Sequence, residues 1–121
     1  MRGIVLFAHG ARDPEWAWPF EAIRDAVRHQ RPECPIALAY LESMAPTLQD
    51  AIGELVSEGA SSIMVFPLFM AQGGHLKGDL PRILDAMRAA HPNVPIALEA
   101  ALGDVPEITG AIASWVVQRS E

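Results

Sequence analysis

Hydrophobic positions along the chain fall into two kinds of run. Four are short and continuous: Gly3 to Ala8, Pro35 to Leu41, Ser62 to Leu68 and Pro95 to Ala100. Runs of this kind predict strands covered by helices on both faces, as in a parallel sheet at the molecular interior. Between and after them lie four runs with helical spacing. Trp16, Phe20, Ile23 and Val27 form the first; Pro32 closes it, and Pro19 puts the regular start near Trp18, behind an Asp13-Pro14 cap. Leu48, Ile52, Leu55 and Val56 share the second face, between Pro46 and Gly59. Leu80, Ile83, Leu84 and Met87 predict a third helix from Asp79 to about Ala90. Val105, Ile108, Ile112, Trp115 and Val116 predict a fourth from Asp104, its stripe turned inward. The alternation predicts an α/β fold with three layers, a four-stranded parallel sheet flanked by helices, built as one domain over residues 1–121. Right-handed crossovers give the strand order 2-1-3-4.

One connection stands out. From Phe69 to Gly78 no helical spacing is evident, which makes this loop longer than the roughly 2–6 residues typical of its kind. Gly73, Gly74 and Gly78 within it imply positive φ angles or room for something large to lie against the backbone.

Composition narrows the function. The 121 residues carry nine Lys plus Arg against fifteen Asp plus Glu, a formal charge of -6, with no basic run. Nucleic acid is not an expected partner. No apolar stretch reaches the roughly 18 residues of a membrane span, so no membrane partner is expected and a cytoplasmic location is. The single cysteine, Cys34, allows neither an internal disulfide nor a thiolate cluster. A bound metal must then use His, Asp or Glu.

Ligands of open parallel sheets bind beyond the carboxyl ends of the strands, where strand order reverses. His9-Gly10-Ala11-Arg12-Asp13 follows the first strand, Glu42-Ser43 the second, and the loop bearing His75 and Lys77 the third. In the order 2-1-3-4, His9 and His75 face each other across the reversal. Two imidazoles without thiolate form a borderline site suited to divalent cobalt, nickel, iron or zinc. Glu42 is a third ligand, a proton acceptor, or a solvated carboxylate. Lys77, Arg12 and Arg82 gather positive charge there in an otherwise acidic chain, an attractor for an anionic ligand. His29 and His91 fall at helix C-termini at the far end of the sheet and read as structural, as does Cys34. Trp16 fits the core stripe of its helix.

The segments His9-Gly10-Ala11-Arg12-Asp13-Pro14 and Gly73-Gly74-His75-Leu76-Lys77-Gly78-Asp79-Leu80-Pro81 closely resemble the short-form CbiX-type sirohydrochlorin chelatases, of class II. Tyr40-Leu41-Glu42, Pro46 and the run Phe66-Pro67-Leu68-Phe69 add to the likeness, which covers nearly the whole chain. The resemblance implies a chelatase-like fold related to flavodoxin and insertion of a divalent metal into sirohydrochlorin without ATP or any organic cofactor. It further implies a homodimer standing in for the two halves of longer chelatases. The family's metal-binding histidines match His9 and His75, both also catalytic with Glu42. Arg12, Lys77, Gly73 and Gly74 are the substrate-binding candidates. Cobalt, for cobalamin, is the favoured metal; iron, for siroheme, and nickel are alternatives. The pairing surface is not readable, with the tryptophans of the first helix as candidate anchors.

Two rivals come from other classes. His9-Gly10 superficially suggests a phosphohistidine Arg-His-Gly motif, but Ala8 stands where arginine is needed. A non-enzymatic carrier of metal or tetrapyrrole could use the same two histidines.

Overall fold

The computed structural model describes residues 1–71 and 73–121, with the backbone but not the side chain of His75. Strands β1 (Arg2–Ala8), β2 (Ile36–Tyr40), β3 (Ser62–Pro67) and β4 (Ile96–Leu98) form one parallel sheet in the order β2-β1-β3-β4, as right-handed crossovers predict. Val5 lies opposite Ala37 on one side and Val65 on the other, and Val65 in turn opposite Leu98.

Local chemistry sets the helix starts. Asp13 accepts a hydrogen bond from the Glu15 N–H at 2.9 Å and caps a 3₁₀ turn, Pro14–Ala17. Helix α1 (Trp18–Gln30) follows, with Pro19 in its first turn, where a missing N–H leaves no helical bond unmade. Thr47 accepts from the Asp50 N–H at 3.1 Å and starts α2 (Leu48–Ser57). Helix α3 covers Gly74–Ala90, and α4 covers Pro106–Arg119 after a second 3₁₀ turn, Leu102–Asp104.

The start of α3 corrects the expectation of a long glycine loop. Leu76, Leu80 and Leu84, four residues apart, are all buried against the sheet. Burial of that ladder outweighs the poor helix propensity of Gly74, Gly78 and Pro81. Pro81 sits inside the helix and leaves the Lys77 carbonyl without its usual partner. The connection from β3 shrinks to 68–73, an ordinary length, so loop length no longer marks the site.

Alternate sheet residues feed two cores. Val5, Phe7, Ala39, Ile63, Val65 and Ile96 meet α2 and α3 on one face. On the other, Leu6, Ala8, Leu38 and Tyr40 meet Trp16, Ala17 and Phe20, with the Trp16 and Phe20 rings 4.6 Å apart. Phe66 of β3 and Leu68 beyond it pack against this second core, but none of its buried residues belongs to β3 or β4. Along β3, Ile63, Val65 and Pro67 are buried while Met64 and Phe66 are only half-buried; on β4, Ala97 is exposed. Coverage of both faces, predicted from the apolar runs, therefore fails over half of one face.

Helix α4 explains the gap. None of its residues is buried, and Ile112 (41%), Trp115 (60%), Val116 (50%) and Val117 (60%) are largely exposed. Among the described residues it packs appreciably only against the 3₁₀ turn before it. The stripe from Val105 to Val116 is thus not turned into this chain's core as predicted. Helix α1 is likewise thinly covered, with Ile23 exposed.

Strand β4 forms one edge of the sheet. The carbonyl of Ile96 accepts two hydrogen bonds from the Arg88 guanidinium of α3, Nε at 3.1 Å and Nη2 at 2.8 Å. No helix among the described residues is long and apolar enough to cross a membrane.

Candidate functional site

The ends of β1 and β2 carry their pairing past the strands themselves. The Leu41 N–H donates to the Ala8 carbonyl at 2.9 Å, and the Glu42 N–H to the His9 carbonyl at 3.1 Å. His9 and Glu42 are thereby held side by side, and His9 Nε2 lies 2.9 Å from Glu42 Oε1. Gly10 makes the arrangement possible. Its φ is +92°, and a Cβ built there would lie 1.9 Å from the Glu42 carbonyl oxygen, so no other residue fits.

The imidazole also leans on the exit of β3. Its ring stands edge-on to Phe69, centroids 6.3 Å apart, and Phe69 stands edge-on to buried Phe7 at 5.5 Å. A chain of perpendicular aromatic contacts thus ties the exposed imidazole to the core beneath it. The exit of β4 closes on the same region: a Cβ on Gly103 would lie 1.7 Å from the Met70 carbonyl oxygen. The glycines that permit close approach are Gly10 and Gly103, whereas Gly73, Gly74 and Gly78 have no atom of the described residues within 4 Å of their Cβ positions and no positive φ. Phe69 and Gly103 stand at strand exits that the sequence marks, Phe69 at the end of the run Phe66-Pro67-Leu68-Phe69 and Gly103 in Leu102-Gly103-Asp104 after the fourth strand, but their contacts with His9 and Met70 carry no sequence signal.

The other predicted residues are placed as follows. His75 and Lys77 belong to the first turn and a half of α3, which leaves the end of β3 beside the β1–β3 reversal. Whether the His75 imidazole faces His9 lies outside the described residues. Lys77 and Arg12 are exposed. Arg82 falls further along α3 than predicted and lies 3.9 Å from Asp79. His29 lies in the last turn of α1, and His91 caps the end of α3, both at the far end of the sheet. Cys34 is a half-buried free thiol there.

Chemically, the pair is open. The side chains of His9 and Glu42 are 55% and 60% exposed, and no group of three or more metal-ligating side chains occurs among the described residues. Two atoms 2.9 Å apart also match the spacing of neighbouring ligands around one ion with bonds of roughly 2.0–2.2 Å. The hydrogen-bond proton and a metal ion therefore compete for the same place. Nearby, burial pushes the Tyr40 phenol up from its ordinary value, with Glu21 adding and Arg24 opposing, so Tyr40 stays neutral at physiological pH.

Comparison with known proteins agrees in fold and sequence. The sirohydrochlorin cobaltochelatase of Methanothermobacter thermautotrophicus is 37% identical over 82 residues, 68% of this chain and 57% of that relative, so the match spans less than two thirds of the relative's length. The crystal structure of a CbiX protein of cobalamin (vitamin B12) biosynthesis from Marinobacter aquaeolei VT8 superposes with a TM-score of 0.83 at 29% identity, covering 98% of this chain and 97% of that one. The sirohydrochlorin chelatase SirB of Bacillus subtilis subspecies spizizenii, in complex with cobalt, shares the fold at a TM-score of 0.79 and 22% identity, covering 97% of this chain but 50% of its own. Residues 3–119 match the CbiX family profile, and with β1, the His9 exit and α3 all inside that match, the chain belongs to the CbiX family.

Proposed function

We propose that this protein inserts a divalent metal, cobalt in the first place, into sirohydrochlorin, and that His9, Glu42 and His75 carry the reaction. The observation that supports this most is the exposed His9–Glu42 pair at 2.9 Å, standing where strand order reverses in a chain of the CbiX family. Cobalt is favoured because the curated relative is a cobaltochelatase; iron, which would serve siroheme instead of cobalamin, is the second candidate, followed by nickel.

The reaction exchanges one divalent ion for two pyrrole N–H protons. His9 holds the incoming ion as a nitrogen ligand, with His75 from the start of α3 as its partner. Because the ion enters from an open surface, coordination positions remain free for the ring nitrogens. Glu42 fixes the orientation of the His9 ring, and the pair, freed once the ion has moved into the macrocycle, accepts the departing protons.

The macrocycle is a flat polycarboxylate. Arg12 and Lys77 supply positive charge to a chain of formal charge -6, and Gly73 and Gly74 present no side chain to a large ring. A site this exposed leaves one face of such a ring in water, which supports a homodimer with a second copy over the crevice. The half-buried free thiol of Cys34 accords with a reducing, cytoplasmic setting.

The direct test is anaerobic spectrophotometry of sirohydrochlorin with equal concentrations of cobalt, iron or nickel, with and without protein. Conversion of the macrocycle spectrum faster than in the metal-only control is expected, with cobalt fastest. Ring binding with no gain in metallation rate would replace the enzyme by a carrier. Lys77→Ala is expected to raise KM several-fold at low ionic strength, with the difference shrinking at high salt because a surface charge acts through a screened field. Equal KM values at low salt would remove Lys77 from the site.

A further inference from the structure

We propose that Gly103, beyond β4, is a positioning residue for the metal site: its bare Cα seats the Met70 backbone, and through the adjoining Phe69 that seat fixes where the His9 imidazole stands. The proposal rests on the reading of His9 as a metal ligand given above, and adds the fourth strand exit to the three that already meet there.

Hydrogen bonds pin the exit of β3 only as far as Leu68, whose N–H donates to the Phe7 carbonyl at 2.8 Å. The next backbone bond among the described residues runs from the Lys77 N–H to the Gly73 carbonyl at 3.0 Å, already in α3. Between the two, Phe69 and Met70 take part in no backbone hydrogen bond among the described residues. Packing must therefore hold the ring on which His9 leans. Phe7 supports that ring edge-on from below at 5.5 Å, but one such contact sets a separation and not a position.

Gly103 supplies the second constraint. The oxygen, carbonyl carbon and Cα of Met70 all lie within reach of a Cβ built on Gly103, and its φ is not positive, so two closely spaced backbones require glycine here and not a turn. The wall behind the contact is firm. Ala101 is buried, the Asp104 N–H donates to its carbonyl at 2.9 Å, and the Val105 N–H donates to the Leu102 carbonyl at 3.1 Å. Upstream, the Glu99 N–H donates to the Val65 carbonyl at 2.9 Å and ties this exit to the sheet. Backbone pressed on backbone passes a displacement on, because neither side has a rotamer to absorb it. A methyl at position 103 must push Met70 and Phe69, and the exposed His9 ring, whose other side-chain contact is Glu42, moves with them. Loss of an outer support behind a metal ligand costs roughly 10–100-fold in affinity or activity.

The test is Gly103→Ala in the full chain, read in two ways. Nuclear Overhauser contacts between the ring protons of His9 and Phe69 report the geometry in the metal-free protein, and cobalt insertion into sirohydrochlorin reports the chemistry. Gly103→Ala is expected to lose the ring contacts and to lower kcat about tenfold with KM for sirohydrochlorin unchanged. Phe69→Leu is expected to lower kcat by a similar factor, and the double variant by no more than either alone, because both act by one route. Ala101→Gly loosens the same turn without a clash, and is expected to weaken the ring contacts and lower kcat about twofold, which keeps the test alive should Gly103→Ala not fold. Ile52→Val, in the core beneath α2, controls for stability: Tm falls while both readings stay as in the wild type. Wild-type ring contacts in a folded Gly103→Ala protein, or in Ala101→Gly where that protein does not fold, would overturn the proposal. So would a lowered kcat with the contacts intact, losses that multiply in the double variant, or the same changes in Ile52→Val. A wild type that metallates no ring would overturn the chelatase reading instead, and the ring contacts would still decide whether Gly103 positions His9.

Discussion

His9→Ala is expected to lower the rate of cobalt insertion by at least about 100-fold while leaving the protein folded. The loss is large because the imidazole is the proposed ligand, and the exits of three strands converge to position it: β1 carries it, Glu42 beyond β2 bonds it, and Phe69 beyond β3 braces its ring. The fold survives because the side chain is 55% exposed and its hydrogen bond with Glu42 is solvated, worth at most about 1 kcal/mol. Thermal unfolding measured beside the spectrophotometric assay separates the two effects. Glu42→Gln refines the result, since the amide keeps a hydrogen-bond acceptor for His9 but loses the charge and the basicity. If Glu42 only orients the ring, that variant keeps most of the rate; if it binds metal or takes protons, it falls with His9→Ala. Wild-type rates in a His9→Ala protein would remove the proposed metal centre.

The second large effect comes from a residue with no chemistry of its own. Gly10→Ala is expected to cost about 2–4 kcal/mol, or roughly 10 °C in Tm, and to abolish metallation. An alanine at φ +92° is strained, and its methyl would occupy the place of the Glu42 carbonyl oxygen, 1.9 Å away. The clash is with backbone, so no rotamer relieves it; the β2 exit must move and carry Glu42 away from His9. Gly53→Ala, inside α2 with nothing within 4 Å of its Cβ position, is the contrasting control and is expected to be neutral or mildly stabilising. A Gly10→Ala protein as stable and active as the wild type would mean that the two strand exits are not locked together.

These contrasts show what could be read before the fold was known. The four strands, their order and the delayed start of α1 follow from local rules that burial does not override. His9 and Glu42 could be placed at neighbouring exits from strand order alone, but their hydrogen bond depends on a register no pattern specifies. The start of α3 is hidden in the sequence because Gly74, Gly78 and Pro81 argue locally against helix, while Leu76, Leu80 and Leu84 are held by a core that exists only in the folded chain. The stripe of α4 departs from its sequence expectation for a different reason. Amphipathic spacing says that a face is made to be buried, and is silent about which polypeptide covers it.

The Arg88 side chain bears on how sheets of this kind associate. An open edge strand normally offers free carbonyls and N–H groups to any other strand that comes near, the route by which β proteins join edge to edge and aggregate. In β4 that route is narrow from the outset, because the strand is only three residues long, and its outward Ile96 carbonyl already accepts from Nε and Nη2 of the Arg88 guanidinium. A stray strand would have to displace a charged, two-pronged bond to gain a neutral one. One arginine thus takes the first outward carbonyl of a three-residue edge, so continuous sheets spanning two chains are disfavoured there.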